Sequence, residues 1–400
     1  MGLMKRHLAE IEERGWAGTD AVVCTACVSD PALADAVAGQ AGSGPCSFCD
    51  TAPPQLSAPL EVVLELVVDG IRAEYDDPVN EAAWDSEDGY LTPKGPWDTY
   101  DLLQELDVSD NAAVLDEIAR KLQGTLWCQR NPYAAARAEA LVWSWDQFRS
   151  YVKTTRRFTF LSPDPSTADG AGMYSMDAVP AAIARAVVDS NLVMTLPVGH
   201  RWWRARVDST GATFSGATEI GTPPATFARD NRMSPTGIGA FYGASTSGGT
   251  VAEVAGYANP TDIVSIAQFA LARELRVVDL RIPPPVPSLF DPERRHLRPA
   301  IQFLHDFVES IRAPAAPSGP SGLNLDYIPT QIITEFLRYE VPDAVGTSDG
   351  LMWRSAADPT VDACALFVTN EQCADPGCEN TDTRMVLDPT TLTHCTVGAM

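Results

Sequence analysis

Two closely spaced cysteine pairs carry a clear chemical signal near the start of the chain. Cys24 and Cys27 form one C-x2-C pair, and Cys46 and Cys49 form a second pair after eighteen intervening residues. Each pair can place two thiolates on one knuckle, and two knuckles complete the tetrahedron of a zinc ribbon. Because four thiolates leave no open coordination position, the spacing predicts a structural zinc ion; free or redox-active thiols are the alternative.

Residues 229–254 carry a second set of side chains that could do chemistry. Arg232 lies in a loop rich in Pro and Gly, Tyr242 lies near the end of a short apolar run, and Glu253 follows a turn of small residues. Each has an ordinary structural explanation: a solvated charge, a core aromatic, and a capping box between Thr250 and Glu253 at the start of a helix. Taken singly, none of the three defines a site, so the rest of the chain must decide.

Composition and charge limit the classes of protein to which this chain can belong. The chain has 400 residues, 45% of them apolar, which suggests two or three domains with sizeable cores. Its formal net charge of −24 repels phosphate backbones, which argues against nucleic acid as the main partner. The charged start and the lack of a long apolar run predict neither a signal peptide nor a membrane span. With nine cysteines and no export signal, we expect a cytoplasmic protein with a metal site in place of a disulfide framework.

The spacing of apolar residues changes along the chain and predicts an α+β protein. We expect a zinc-binding knuckle region at 1–55, a helical domain at 56–162 with a solvated acidic loop at 75–88, and a mixed α/β domain at 173–400. Strands are predicted in the second half at 202–207, 239–244, 262–270, 275–280, 350–353 and 363–368. Helices are predicted between them at 250–257, 291–311 and 329–338.

Three short motifs do not support a function. Gly237-Ile-Gly239 lacks the third glycine of a dinucleotide-binding fingerprint. Residues 346–350 match the letters of G-x-S-x-G, but a polar loop precedes them where a nucleophile elbow needs a strand. The tail carries cysteines and a histidine at irregular spacing, and whether they bind a metal is left open. These tail residues are Cys373, Cys378, His394 and Cys395.

Seven segments of the second half follow one another in an order that is characteristic of one family. They are 203–206 (WRAR), 232–237, 241–244 (FYGA), 250–253 (TVAE), 327–335, 349–355 and 365–368. Together they resemble a RES domain, a family named for its Arg, Glu and Ser, whose best-known members are the toxins of RES–Xre toxin–antitoxin pairs. The resemblance covers roughly residues 175–400. The cysteine knuckles and helical block upstream resemble the HEPN-like region attached to some RES proteins.

The resemblance implies a fold similar to ADP-ribosyltransferases. It also implies an NAD+-degrading activity, which cleaves the nicotinamide–ribose bond by hydrolysis or phosphorolysis with NAD as the substrate. Residue by residue, it implies a catalytic set of Arg204, Tyr242, Glu253 and Ser355, with Arg206 and Arg232 as further NAD-binding residues. Arg206 is also a rival to Arg204 for the family's Arg, since both lie in one RAR run. An antitoxin or immunity protein and a homodimer are the partners that it leaves open.

The residue types agree with this chemistry. Breaking an N-glycosidic bond builds positive charge on the ribose, and a nearby carboxylate such as Glu253 would stabilise that charge. At a helix start, the helix dipole would hold this carboxylate ionised. Arginines suit the pyrophosphate of NAD+, Tyr242 can stack on nicotinamide, and the Ser355 hydroxyl can bind a phosphate or ribose oxygen.

Three other functions compete with NAD+ degradation. A HEPN-type ribonuclease uses an Arg followed by a His, and no histidine occurs between His7 and His200, so the helical block lacks that motif. A non-enzymatic interaction protein with a decayed RES domain is a second alternative. The joint retention of all four residues of the implied catalytic set, Arg204, Tyr242, Glu253 and Ser355, argues against decay. ADP-ribosyl transfer to a macromolecule is the third, and the sequence names no acceptor.

Overall fold

The computed structural model divides the chain into two compact units. The first comprises Met1–Arg137, Gly170–Met173 and Val286–Pro299, and the second comprises Ala138–Asp169, Tyr174–Pro285 and Ala300–Met400. The residues that the structure describes are 11–42, 44–50, 56–123, 126–135, 137–162, 173–256, 258–312, 324–340 and 347–399. The domain limits expected from the sequence, at 1–55, 56–162 and 173–400, stay predictions.

The first unit begins with the cysteine region. Residues 11–14 are helical, and strand β1 (Val22–Cys24) pairs antiparallel with strand β2 (Ser57–Pro59). Between these strands in sequence lies helix α1 (Pro31–Gly39). The helix starts where it does because the Asp30 carboxylate accepts hydrogen bonds of 2.9 and 3.1 Å from two main-chain N–H groups of the first turn.

Four more helices and three small strand pairings build the rest of the first unit. The helices are α2 (Glu61–Glu74), α3 (Pro78–Glu81), α4 (Thr99–Glu105) and α5 (Ala112–Lys121). Strands β3 (Tyr75–Asp76), β7 (Leu126–Gln129) and β6 (Trp97–Asp98) form one sheet in that order, and β4 (Trp84–Asp85) pairs with β5 (Gly89–Tyr90). The prediction of a solvated loop at 75–88 is therefore wrong in part. Asp77 caps α3, so the acidic run supplies a helix start.

A nine-stranded sheet forms the centre of the second unit. Its strand order is β15-β16-β11-β9-β10-β14-β13-β12-β8. The strands are β8 (Val193–Leu196), β9 (Arg201–Asp208), β10 (Phe241–Ala244), β11 (Ile263–Leu271), β12 (Leu275–Asp279), β13 (Gly350–Arg354), β14 (Asp362–Leu366), β15 (Cys373–Ala374) and β16 (Met385–Thr396). The β12–β13 and β15–β16 pairs are parallel and the other neighbours are antiparallel, so the sheet is mixed.

Six helices accompany this sheet. They are α6 (Arg137–Thr154), α7 (Val179–Asp189), α8 (Ala217–Ile220), α9 (Ser247–Ala255), α10 (Arg298–Arg312) and α11 (Ile328–Tyr339). Aromatic side chains of α6 and α10 fill one core, in which the Trp145 ring lies 5.3 Å from the Phe307 ring. A separate apolar cluster joins β11 to α9 through Val254, Val264 and Ile266. The predicted α+β class, with a helical first part and a mixed second part, is confirmed.

The strands predicted for the second half are all present, with ends that differ by a residue or two. Three strands were not predicted, namely β8, the two-residue β15 and the twelve-residue β16. Of the helices in the described part of the chain, none has the length and apolar character that crossing a bilayer requires.

Candidate functional site

Arg204 is fixed in the middle of strand β9. Its side chain is only 8% exposed. Its Nε donates a hydrogen bond to the Ile220 carbonyl and its Nη1 donates one to the Tyr242 carbonyl, both at 2.7 Å. The guanidinium carbon also lies 5.1 Å from the centre of the Phe241 ring. Arg204 is therefore a buried positive charge that ties β9 to β10 and to the end of α8.

Arg206 lies two residues further along β9 and so points to the same face as Arg204. Its Nη1 donates to the main-chain carbonyl of Glu219, and its guanidinium carbon lies 4.7 Å from the centre of the Phe214 ring. Burial lowers the pKa of Arg206, and the charges of Glu219 and Asp208 oppose that shift. Arg206 is half-buried, so it is more accessible than Arg204.

Tyr242 extends from β10 towards the loop that precedes it. Its hydroxyl accepts a hydrogen bond of 3.2 Å from the Met233 main-chain N–H and lies 3.0 Å from the Ser234 hydroxyl. Burial raises the pKa of Tyr242 above its ordinary value, although Ser234 and the charge on Arg204 act in the opposite direction. Tyr242 is therefore a neutral phenol at physiological pH.

Arg232 lies in the loop before β10, and helix α11 holds that loop in place. The Thr330 hydroxyl donates a 2.7 Å hydrogen bond to the Arg232 carbonyl, and the Gln331 side-chain amide donates one of 2.7 Å to Asp230. The Arg232 guanidinium carbon lies 5.4 Å from the centre of the Tyr327 ring. Burial lowers the pKa of Arg232, and Tyr327 is the largest of the groups that oppose this shift.

Glu253 lies near the end of α9, which corrects two expectations. The helix is capped by Thr246, whose hydroxyl accepts a 3.0 Å hydrogen bond from the Gly249 N–H, and it runs from Ser247 to Ala255. Thr250 is therefore inside the helix, so the predicted capping box between Thr250 and Glu253 is wrong. The predicted stabilisation of a Glu253 carboxylate by the start of the helix is wrong as well, because the negative end of the helix dipole is the nearer one.

The protonation of Glu253 reflects the protein that surrounds it. Its side chain is exposed to solvent, but the surrounding protein raises its pKa to about 7, and the charge on Arg204 limits the rise. The two observations differ because exposure measures access of water, whereas desolvation depends on the density of protein around the group. Glu253 is therefore an accessible carboxyl that is flanked by protein. At neutral pH, Glu253 is divided between its two forms, and the expectation of a fully ionised group is wrong.

Ser355 lies in the turn that follows β13, with only 3% of its surface exposed. Its N–H donates to the Val361 carbonyl at 2.9 Å, and its hydroxyl accepts from the Ala357 N–H at 3.3 Å. These contacts are local to the turn. The Ser355 side chain is therefore well fixed, but its described contacts do not join it to Glu253.

An ion-pair network that the sequence did not reveal lies beside Ser355. Asp362 Oδ2 accepts a 2.7 Å hydrogen bond from Arg281 Nη1. Asp362 Oδ1 lies 2.7 Å from Arg354 Nη1 without the alignment of a hydrogen bond, so that contact is an ion pair. Arg281 also pairs with Asp279 at 2.8 Å. The network joins the ends of β12 and β13 to the start of β14, and only the fold brings these distant residues together.

The predicted site residues are thus brought together in part. The charge on Arg204 acts on both Tyr242 and Glu253. Arg232 is linked to them through its loop, because the Tyr242 hydroxyl contacts the Met233 N–H and the Ser234 hydroxyl of that loop. A separate cavity of about 50 Å³ lies beside the 233–240 loop and α11, and the described residues that line it include none of the predicted site residues. The assignment of roles to individual residues stays a prediction.

The four N-terminal cysteines gather as the sequence predicts. Their sulfur atoms all lie within 4.8 Å of one another. The Cys24 and Cys49 sulfurs are 3.6 Å apart, and those of Cys27 and Cys46 are 3.9 Å apart. A tetrahedral zinc ion with Zn–S bonds of about 2.3 Å requires sulfur separations of about 3.8 Å. The donor set therefore fits zinc in both chemistry and spacing.

Comparison with known families agrees with this architecture. Residues 39–166 match the model described as HEPN/RES N-terminal domain 1, and residues 201–388 match the model described as RES domain. The chain therefore carries a HEPN/RES N-terminal domain followed by a RES domain. The RES match contains all six predicted residues of the second unit. Neither the curated proteins nor the solved structures gave a significant match.

Proposed function

We propose that this protein degrades NAD+ by cleaving the bond between nicotinamide and ribose. The observation that carries the proposal is the placement of Arg204 in β9, where its charge acts on Glu253 in α9 and on Tyr242 in β10. The RES domain supports an NAD-related activity of the kind found in toxins. Hydrolysis would give nicotinamide, ADP-ribose and a proton, and phosphorolysis would give nicotinamide and ADP-ribose 1″-phosphate.

Glu253 has the properties of the group that acts at the reacting ribose. A pKa of about 7 lets the carboxyl ionise near physiological pH and accept a proton from water or phosphate. The nicotinamide ring of NAD+ is cationic, so binding would favour the ionised form. The carboxylate would then stabilise the positive charge that develops on the ribose. Tyr242, as a neutral phenol, would stack on nicotinamide and hold its ring.

The three arginines have two different roles in this proposal. Arg204 donates to two main-chain carbonyls, so we assign it the positioning of β10 and the tuning of Glu253. Arg206 and Arg232 are only partly buried, and we assign them the pyrophosphate of NAD+. We assign the Ser355 hydroxyl to a phosphate or ribose oxygen. In this arrangement, the buried Arg204 tunes the pKa of Glu253, and the more accessible Arg206 and Arg232 bind the substrate.

We also propose that the four cysteines hold a structural zinc ion. The separations of the sulfurs match a tetrahedral site, and Cys46 Sγ accepts a hydrogen bond of 3.4 Å from the Phe48 N–H. Four protein ligands leave no position for substrate, so zinc would stabilise the fold and take no part in cleavage. The expected partners, an antitoxin or immunity protein or a second copy of the chain, stay predictions, as does a cytoplasmic location.

The products of an incubation with NAD+ test the proposal against its alternatives. Purified protein is incubated with NAD+ in buffers with and without phosphate, and the products are identified by mass spectrometry. ADP-ribose in both buffers indicates hydrolysis, and ADP-ribose 1″-phosphate in phosphate alone indicates phosphorolysis. ADP-ribose attached to protein, with free nicotinamide, would indicate transfer to a macromolecule. Intact NAD+ in both buffers would support an interaction protein with a decayed RES domain.

A further inference from the structure

A segment of the first unit is attached to the first cysteine knuckle by a series of hydrogen bonds. The Ser29 N–H donates to the Val108 carbonyl at 3.0 Å, and the Ser109 hydroxyl donates to the Cys27 carbonyl at 2.7 Å. The Asp110 N–H donates to the Ser29 hydroxyl at 2.9 Å. Residues 108–110 therefore follow the main chain of the knuckle and bring Asn111 to its sulfur atoms.

The side chain of Asn111 contacts both the cysteine cluster and a helix. Its Nδ2 lies 3.8 Å from Cys27 Sγ and donates a 3.1 Å hydrogen bond to the Phe48 carbonyl. Its Oδ1 accepts a 3.0 Å hydrogen bond from the Ala113 N–H and so caps α5. One amide thus contacts a thiol of the first knuckle, a carbonyl of the second, and the start of a helix.

The orientation of this amide follows from its neighbours. Reversing it would place its NH2 group against the Ala113 N–H and its oxygen against the Phe48 carbonyl, so two favourable contacts would become repulsive. In the observed orientation, both N–H groups and the oxygen of Asn111 have partners. An aspartate at this position could cap the helix equally well, but it could donate neither hydrogen bond.

We propose that Asn111 is a positioning residue of the metal centre, which it couples to the folding of α5. N–H groups that donate to ligand sulfurs orient the ligands and offset their negative charge, and their loss commonly weakens metal binding by about 10–100-fold. Zinc with four thiolates has a net charge of −2, so a donor at Cys27 is favourable and a carboxylate there is not. The inference rests on the proposed zinc site and is independent of NAD+ cleavage.

Asn111→Asp separates the two contacts of this side chain. It retains a capping oxygen for α5, removes both donors and places a negative charge near the thiolates. We expect its dissociation constant for zinc, measured by competition with a chromogenic chelator, to rise by at least 10-fold. In the zinc-saturated protein, hydrogen exchange of residues 112–121 should match the parent, because the cap is kept. Asn111→Ala should weaken zinc binding and also speed exchange in α5.

Two further variants keep the test decisive. Asn111→Ser keeps a capping hydroxyl and adds no charge, so it should lose less zinc affinity than Asn111→Asp. This variant also provides the test if Asn111→Asp folds poorly. Asp98→Ala removes the cap of α4, in which the Asp98 carboxylate accepts a 2.8 Å hydrogen bond from the Asp101 N–H. It changes none of the residues described here as contacting the cysteines. It should therefore leave zinc affinity unchanged.

Each outcome has one meaning. A parent protein that carries no zinc would overturn the metal assignment itself. A parent that binds zinc, with Asn111→Asp and Asn111→Ser equal to it in affinity, would overturn only the role of Asn111. An Asp98→Ala variant that loses as much zinc affinity as Asn111→Asp would show that any lost helix cap has this effect, and would also overturn the proposal.

Discussion

The pKa of Glu253 predicts how NAD+ cleavage should depend on pH. With a pKa of about 7, roughly one tenth of the Glu253 carboxyls are ionised at pH 6 and roughly nine tenths at pH 8. If the carboxylate is the active form, kcat/KM should rise about tenfold over this interval, because kcat/KM reports the ionisation of the free enzyme. Nicotinamide release measured from pH 5.5 to 8.5 gives the profile.

Variants of Glu253 and Arg204 test the cause of this profile. Glu253→Gln removes the titrating group and should lower turnover on the order of a hundredfold, with no rise between pH 6 and 8. Arg204→Gln removes the charge that lowers the pKa of Glu253, so the midpoint of the rise should move to higher pH. Arg204→Lys keeps the charge and should leave the midpoint near that of the parent, even if some stability is lost. A parent profile that is flat from pH 6 to 8 would refute the reasoning.

Three further predictions concern stability. The pKa of Glu253 is raised to about 7 on folding, from about 4.3 in an unfolded chain, so the parent loses stability as pH rises between these values. The melting temperature of Glu253→Gln should therefore rise relative to that of the parent between pH 5 and 8. Equal pH dependence of the two melting temperatures would contradict the raised pKa of Glu253. Gly249→Ala should lower the melting temperature, because a Cβ there would lie 2.5 Å from Val361 Cγ1, whereas Gly248→Ala meets nothing within 4 Å and should be neutral or stabilising by up to about 1 kcal/mol. Equal effects of the two alanines would contradict that packing. Asp362→Asn should destabilise by about 1.5–3 kcal/mol in chemical denaturation, since the pair with Arg354 is lost and Arg281 keeps only its pair with Asp279. A change below about 0.5 kcal/mol would contradict a stabilising role of Asp362 in the network.

The sequence carried most of the information about the elements and the metal site. The C-x2-C spacing identifies the four cysteines because two knuckles are short, local structures that residue spacing largely determines. The strands at 201–208 and 263–271 are rich in β-formers, and they were predicted for that reason. Strand β16 was missed because it contains Pro389 and lies opposite an irregularity of register between Ile266 and Gln268.

The electrostatics of the candidate site depend on the fold and could not be predicted. The sequence analysis places the start of this helix at Thr250, whereas in the fold the helix starts at Ser247 with Thr246 as its cap. That shift moves Glu253 from the first turn to the last, which reverses the expected effect of the helix dipole. Asn111 likewise has no sequence signal, since its partners are distant in the chain.

The catalytic assignment is tested most directly by the release of nicotinamide from NAD+ by the parent protein and by Glu253→Gln. We predict that the parent releases nicotinamide over many turnovers, and that Glu253→Gln still binds NAD+ while its turnover falls on the order of a hundredfold. If the variant cleaves NAD+ as fast as the parent, or if the parent leaves NAD+ intact with and without phosphate, the central claim is wrong.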